Sequence, residues 1–270
     1  MIAARLFRQH RDPCRNDGSV WARLARLVGG LLVIVVGTTT ADANVVIEAT
    51  RVIYEQGAQS QIVQLTNRGD QPALVQSWVD AGNTESTPED SQAPFVILPP
   101  ITRVEAERGQ ALRIRFTGTP KALPSDEESV FWLNVLDVPP SLGQKQTDRD
   151  KNYLQFAIRS RIKLFYRPKG LPGEPRKAPD ALEWSVTTNT SGSPVLRVHN
   201  PSAYHVTLTA VRLGKSGSSL VPRSHMLAPG ASHRWPLGMS PAAGARVVYE
   251  SINDFGAATR HDAALAAAGD

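Results

Sequence analysis

The chain has 270 residues, 41% of them hydrophobic and 20% charged, an ordinary balance for a globular protein with a core. Twenty glycines and 20 prolines exclude an architecture of long helices. The formal net charge is +5, but six of the 30 cations and three of the 25 anions lie in the first 43 residues. The remaining 24 cations against 22 anions leave no nucleic-acid footprint.

Residues 1–43 read as a signal peptide. A basic stretch carries Arg5, Arg8, Arg11, Arg15, Arg23 and Arg26, an apolar run spans Leu27 to Val36, and Thr-Thr-Thr-Ala-Asp-Ala follows. Ala41 and Ala43 supply an A-x-A cleavage pattern, so the mature chain is expected to start at Asn44. The apolar run is far shorter than the roughly 20 residues that span a bilayer. The single cysteine, Cys14, falls inside this presequence. Export would place the mature chain in an oxidising compartment without a disulfide, and buried apolar area alone would hold it.

From Asn44 onward the chain alternates short β-type runs with turn residues. Val45–Ala49, Arg51–Tyr54, Gln61–Thr66 and Ala73–Val79 come first, with Asn67–Asp70 as a turn. Phe95–Leu98, Thr102–Glu105, Leu112–Phe116, Val130–Val138 and Leu154–Tyr166 follow. Strands at this spacing predict β-sandwich architecture. Pro168–Pro179 holds four prolines and two glycines, cannot carry a helix or a central strand, and reads as an interdomain joint. Strand-like runs resume at Ala181–Thr187, Val195–His199, Val206–Val211, Arg234–Leu237 and Arg246–Tyr249. The Ala-rich tail, Ala257–Asp270, is expected to fray or to form a short helix. The organisation is therefore a domain over 44–167, a linker over 168–179 and a second domain over 180–270.

No glycine-rich phosphate loop, nucleophile elbow or Cys-x-x-Cys pair is present. The mature histidines are His199, His205, His225, His233 and His261, and their spacing is not that of a zinc site. Single satisfied or solvated histidines are expected. Nothing in the sequence points to an enzyme, a cofactor, a metal or a small-molecule substrate.

The most specific stretch is Leu123–Pro140, Leu-Pro-Ser-Asp-Glu-Glu-Ser-Val-Phe-Trp-Leu-Asn-Val-Leu-Asp-Val-Pro-Pro. An acidic loop leads into a strand with Phe131, Leu133 and Val135 on one face and Trp132, Asn134 and Leu136 on the other. Pro139 and Pro140 end it. On the later strand, Leu154, Phe156 and Ile158 alternate with Gln155, Ala157 and Arg159. On composition alone that apolar set could equally face its own core.

The Leu123–Pro140 stretch resembles the signature of the periplasmic pilus assembly chaperones of the chaperone–usher pathway, the PapD-like family. Ala-Thr-Arg-Val-Ile-Tyr at 49–54, Ile162–Pro168, Asn200–Leu208 and Ser251–Gly256 resemble further family stretches in the same order. The resemblance covers essentially the whole mature chain. It implies an all-β fold of two immunoglobulin-like β-sandwich domains in an L-shaped arrangement. It also implies an ATP-independent periplasmic chaperone that lends a strand to pilus subunits and delivers them to an outer-membrane usher. Leu154, Phe156 and Ile158, on a strand at a sheet edge, would fill the subunit's open groove. Arg51 and Lys163 would grip the subunit's C-terminal carboxylate in the cleft between domains. Glu128, Arg167 and Asp254 would form an ion network between domains. A free chaperone would be able to cover its own apolar edge by dimerising. The loop Ser141–Tyr153 lacks the cysteine pair of the long-loop subclass and suggests the short-loop type. Two other readings remain open from the sequence: an exported immunoglobulin-like adhesion or structural module without chaperone activity, and an exported hydrolase or metal protein.

Overall fold

The computed structural model describes residues 44–140, 155–214, 218–242 and 244–266. The signal peptide with Cys14, the loop Ser141–Tyr153 and Leu154 lie outside the described residues. The rest folds as two β-sandwiches, the all-β class expected.

In the first sandwich one sheet has the order β1 (Val45–Ile47), β3 (Gln61–Asn67), β7 (Gly109–Phe116), β5 (Phe95–Leu98). The facing sheet has the order β2 (Arg51–Glu55), β9 (Ile158–Arg167), β8 (Ser129–Val138), β4 (Ala73–Asp80), β6 (Ile101–Val104). Period-two alternation sends Val63, Leu65, Leu112 and Ile114 inward from one sheet. Phe131, Leu133, Val135 and Leu164 meet them from the other. Tyr54, Phe95, Phe116, Phe131 and Tyr166 close one end of this core, their contacting rings 4.7–6.5 Å apart.

The second sandwich packs β10 (Glu183–Thr188), β11 (Pro194–His199) and β14 (Ser232–Pro236) against a sheet ordered β13 (His225–Leu227), β12 (Val206–Leu213), β15 (Arg246–Ile252), β16 (Ala258–Ala264). Trp184 stacks on Trp235 at its centre and meets the tilted ring of Tyr249. Asn200 is wholly buried, and its amide donates to the carbonyls of Tyr204, Leu227 and Ala228. A buried amide saturated in this way pins the turn that follows it.

Three expectations need correction. The strand read as Leu154–Tyr166 begins at Ile158. Asp137↔Ile158 is the last pair with β8, because Pro139 and Pro140 have no N–H to extend the ladder. The tail neither frays nor forms a helix over 258–264: β16 pairs with β15 along its length. It is an exposed edge strand, so its sequence lacks the apolar alternation that announces a half-buried strand. The proline-rich joint holds two single-turn 3₁₀ helices, Pro175–Lys177 and Pro179–Ala181. Each starts on a proline, whose missing N–H costs nothing at a first turn.

The outer face of the β9–β8–β4 layer carries a buried charge. Asp80 is 1% exposed. Its carboxylate accepts from Arg161 (Nε 3.1 Å, Nη2 2.5 Å), Asn134 Nδ2 (2.7 Å) and the Gly82 N–H (2.6 Å). Arg161 lies over the Trp132 ring and Arg159 over Trp78. Burial alone would raise the Asp80 pKa, but these donors outweigh it and hold the carboxyl below its ordinary value. The stability this provides is fully present above about pH 4 and fades as pH falls through the lowered folded value. Asp80→Ala should destabilise the first sandwich by about 3 kcal/mol, the low end for breaking a buried pair, since Arg161 keeps some water contact. Urea midpoints should differ at neutral pH and converge in acid; identical midpoints at neutral pH would contradict the role.

Candidate functional site

The site grows from one strand that is covered unevenly. β8 pairs with β9 along one side, from Asp137↔Ile158 to Ser129↔Tyr166. On the other side β2 runs parallel and covers only Lys163–Arg167. Among the described residues no strand pairs the outer side of Ile158–Ile162. The strand read as lying at a sheet edge is therefore an edge only in its first half, because β2 begins at Arg51.

Burial follows the same boundary. Along the inward row, Leu164 is fully buried and Ile162 partly buried, while Ile158 is 41% exposed. Phe156, two residues before Ile158, is 65% exposed. Gln155 is tied to the end of β8 by bonds from its amide to the carbonyls of Pro139 and Pro140. Thus a row of apolar side chains leaves the core and continues into solvent beside an unpaired backbone edge.

Arg51 and Lys163 meet where the edge ends. They are direct partners in the β2–β9 register, so both side chains leave the same face of the sheet. Arg51 Nη1 donates to the Ile252 carbonyl at 3.1 Å. Lys163 Nζ lies 3.4 Å from Thr207 Oγ1. Both contacts reach the second sandwich, and among the described residues neither cation meets a carboxylate within ion-pair distance. Arg51 Nε is buried without a hydrogen-bond partner. Burial pushes the Lys163 ammonium down to about 8, and the neighbouring Arg51 charge adds to the shift. Burial also lowers the Arg51 guanidinium, against the fields of Asp254 and Glu128. Two adjacent, half-buried cations are thus left without a neutralising anion among the described residues.

Glu128, Arg167 and Asp254 also come together. Arg167 Nε donates to Glu128 Oε1 at 2.9 Å, and its two terminal nitrogens grip Asp254 at 2.8 and 3.1 Å. The sequence reading missed three participants. Glu55 Oε1 lies 3.8 Å from Arg167. The Arg167 guanidinium lies over the Tyr204 ring. The His205 backbone N–H donates to Glu128 Oε2, and the His205 ring nitrogen lies 3.2 Å from the same oxygen. Strand alternation was the available signal for Glu55, since Arg51, Ile53 and Glu55 share the face of Lys163, Phe165 and Arg167. His205 had no such signal, because its partner comes from the other sandwich. Burial disfavours the charged Arg167, but the bonds and fields of Asp254 and Glu128 raise its pKa above the ordinary value. The hairpin turn carrying Asp254 abuts the first sandwich: Gly256 has φ +86°, and a side chain there would collide with Thr50. Arg51, Tyr204, Ile252 and Phe255 line a cleft of about 490 Å³ in this region.

Breaking the network should loosen the two sandwiches without unfolding either. Asp254→Ala is expected to leave the far-ultraviolet circular dichroism unchanged and to broaden the interdomain distance distribution in small-angle scattering. Superimposable scattering curves would argue against a hinge-holding role.

Two family models match the chain: "Pili and flagellar-assembly chaperone, PapD N-terminal domain" over residues 44–172, and "Pili assembly chaperone PapD, C-terminal domain" over 177–263. The chaperone protein FimB/FhaD of Bordetella pertussis is 45% identical over 228 residues, 84% of this chain and 90% of that protein. The chaperone protein MrkB of Klebsiella pneumoniae is 37% identical over 214 residues, 79% of this chain and 88% of its own length. Among solved structures, the YadV chaperone is 40% identical with a TM-score of 0.65, covering 83% of this chain and all of that one. The structure of the Salmonella enterica SafA pilin in complex with the SafB chaperone matches at 29% identity and a TM-score of 0.68, covering 84% of this chain and 99% of that chain.

Proposed function

The chain belongs to the pili assembly chaperone family, and from that premise we propose that it captures pilus subunits in the periplasm by lending them the free edge of β9. That family consists of binding proteins, not enzymes. The observation that carries the proposal is the unpaired first half of β9 ending at two uncompensated cations. The subunit's last strand would lie in the lane that β2 leaves empty, its terminal carboxylate on Arg51 and Lys163. Its preceding residues would then run back along Ile162 to Phe156, parallel to β9. Phe156 and Ile158, with Leu154 before them, would enter the subunit's open groove.

The magnitudes fit such a division of labour. Burying each large apolar side chain contributes roughly 1.5–3 kcal/mol, and each backbone bond about 0.5–1.5 kcal/mol net. A charge-assisted bond to a carboxylate contributes about 1.5–3 kcal/mol and sets the register. Association and ordering offset much of this. The binding needs no nucleotide or cofactor. The Glu128–Arg167–Asp254 network would hold the cleft at the width a carboxylate needs.

Delivery to an outer-membrane usher requires a surface that the subunit leaves free. Ile62, Val96 and Leu98, exposed on the sheet of β3, β7 and β5, meet that need. Without a subunit, the bare β9 edge would be covered by a second copy of the chaperone. Sedimentation equilibrium should then show dimers that dissociate when a subunit is added; a monomer at every concentration would refute the capping.

Arg51→Ala and Lys163→Ala should each fold normally and fail to recover a co-expressed pilin as a one-to-one complex. Normal recovery by both would refute the carboxylate role. Affinity should also fall as pH rises through about 8, where Lys163 loses its proton, and Lys163→Arg should flatten that dependence. The stability of the free protein has the opposite sign. The folded pKa lies below the unfolded one, so the unfolded chain holds more protons between about 8 and 10.5 and stability rises with pH there.

A further inference from the structure

Phe255 is 96% exposed, the highest exposure among the large apolar side chains of the described residues. A single exposed aromatic on a mobile loop needs no explanation, but this turn is held throughout. Asn253 Oδ1 accepts from the N–H groups of Phe255 and Ala257, each at 3.0 Å. The Asn253 N–H donates to the Ala257 carbonyl, and the Gly256 N–H to the Asn253 carbonyl. Asp254, one residue before the ring, is gripped by Arg167. Gly256, one residue after it, sits against Thr50. The residues on either side of the ring are thus in contact with the first sandwich, which fixes the backbone that carries it.

Its position gives the exposure a direction. Thr50 immediately precedes Arg51, where β2 starts and the lane along β9 ends. Phe255 lines the same cleft as Arg51, together with the apolar Ile252 and Pro175. Because Arg51 lines this cleft, a carboxylate seated on it would bring the side chain of its own residue into the same space. The cations recognise only the terminal charge, which every polypeptide carries. The aromatic wall supplies what they lack, a means to distinguish one terminal residue from another.

We propose that Phe255 is a specificity residue that packs against the side chain of the client's C-terminal residue and favours an apolar or aromatic one. The inference rests on the carboxylate role of Arg51 and Lys163. A ring contact of this kind gives roughly a two- to tenfold preference.

The test uses fluorescein-labelled heptapeptides of alternating valine and threonine, ending in either tyrosine or serine, each with a free carboxylate or an amide. The wild-type protein should bind the tyrosine-ended acid about fivefold more tightly than the serine-ended acid, within the range set by the ring contact. Phe255→Ser should erase that preference, leaving the serine-ended affinity and the melting temperature unchanged, and Phe255→Tyr should retain it. Equal binding of the two acids by wild type, or a preference that survives Phe255→Ser, overturns this proposal; the cation site still stands if the amides bind more weakly. If acids and amides bind alike, or no peptide binds, the cation site fails and this proposal fails with it.

Discussion

The parallel pairing of β2 with β9 stops at Lys163, and most of what distinguishes this molecule depends on where it stops. Had β2 begun five residues earlier, β9 would be an interior strand throughout and its backbone would be satisfied within the sheet. Because it begins at Arg51, one strand has two characters. Its second half is a core strand with Leu164 and Tyr166 buried. Among the described residues its first half leaves backbone donors and acceptors and an apolar row unpaired. The junction between the halves is also where two cations are forced side by side, since register partners on a parallel pair share a face. The open edge and the cation pair therefore arise from one register.

A proline pair sets the far limit of the same edge. β8 ends before Pro139 and Pro140, so among the described residues no strand pairs that side before Ile158. Phe156 consequently stands beyond the last ladder pair, and among the described residues the neighbouring Gln155 ties it to the end of β8. On the outer face, Asp80 holds Arg161 and stiffens the layer behind the edge. The apolar row can thus project outward without the strand collapsing onto its own sandwich. An edge backed by a rigid layer loses less conformational freedom on binding than a loop would.

The sequence made much of this legible, and its failures have physical causes. Period-two alternation identified most strands of both sandwiches, because half-buried strands carry that pattern in their side chains. It missed β16, whose exposed face and small alanines give no alternation, and β13, only three residues long. The strand at 154–166 was drawn too long because alternation persists through Phe156, whereas pairing depends on the partner strand and ends with it. Arg51, Lys163, Glu128, Arg167 and Asp254 were found through family resemblance, since a charge on a strand looks solvated until its neighbours are known. His205 and Thr207 escaped because their contacts cross between sandwiches, at separations of 77 and 44 residues. Phe255 was visible only as part of Ser-Ile-Asn-Asp-Phe-Gly; that its ring is fully bare and its turn fixed required coordinates.

The cleft is built against the protein's own stability, and that is informative. Lys163 is half-buried beside Arg51 with the Thr207 hydroxyl 3.4 Å from its Nζ, an arrangement that burial and like charge both disfavour. Among the described residues Arg51 Nε has no partner. Phe255 is held in water by a well-bonded turn, and Phe156 stands in water beyond the last ladder pair. Each group would be improved by the event proposed above: an incoming carboxylate would neutralise the cations, and an apolar strand end would cover the rings. Groups that are individually strained but relieved together by one ligand discriminate more sharply than groups already satisfied, because a ligand lacking either feature leaves half of the cost in place. An extended apolar segment without a terminus nearby would cover Phe156 and leave the cation pair bare. A free carboxylate without such a segment would leave the edge unpaired. Only the end of a chain whose final strand has no partner answers both.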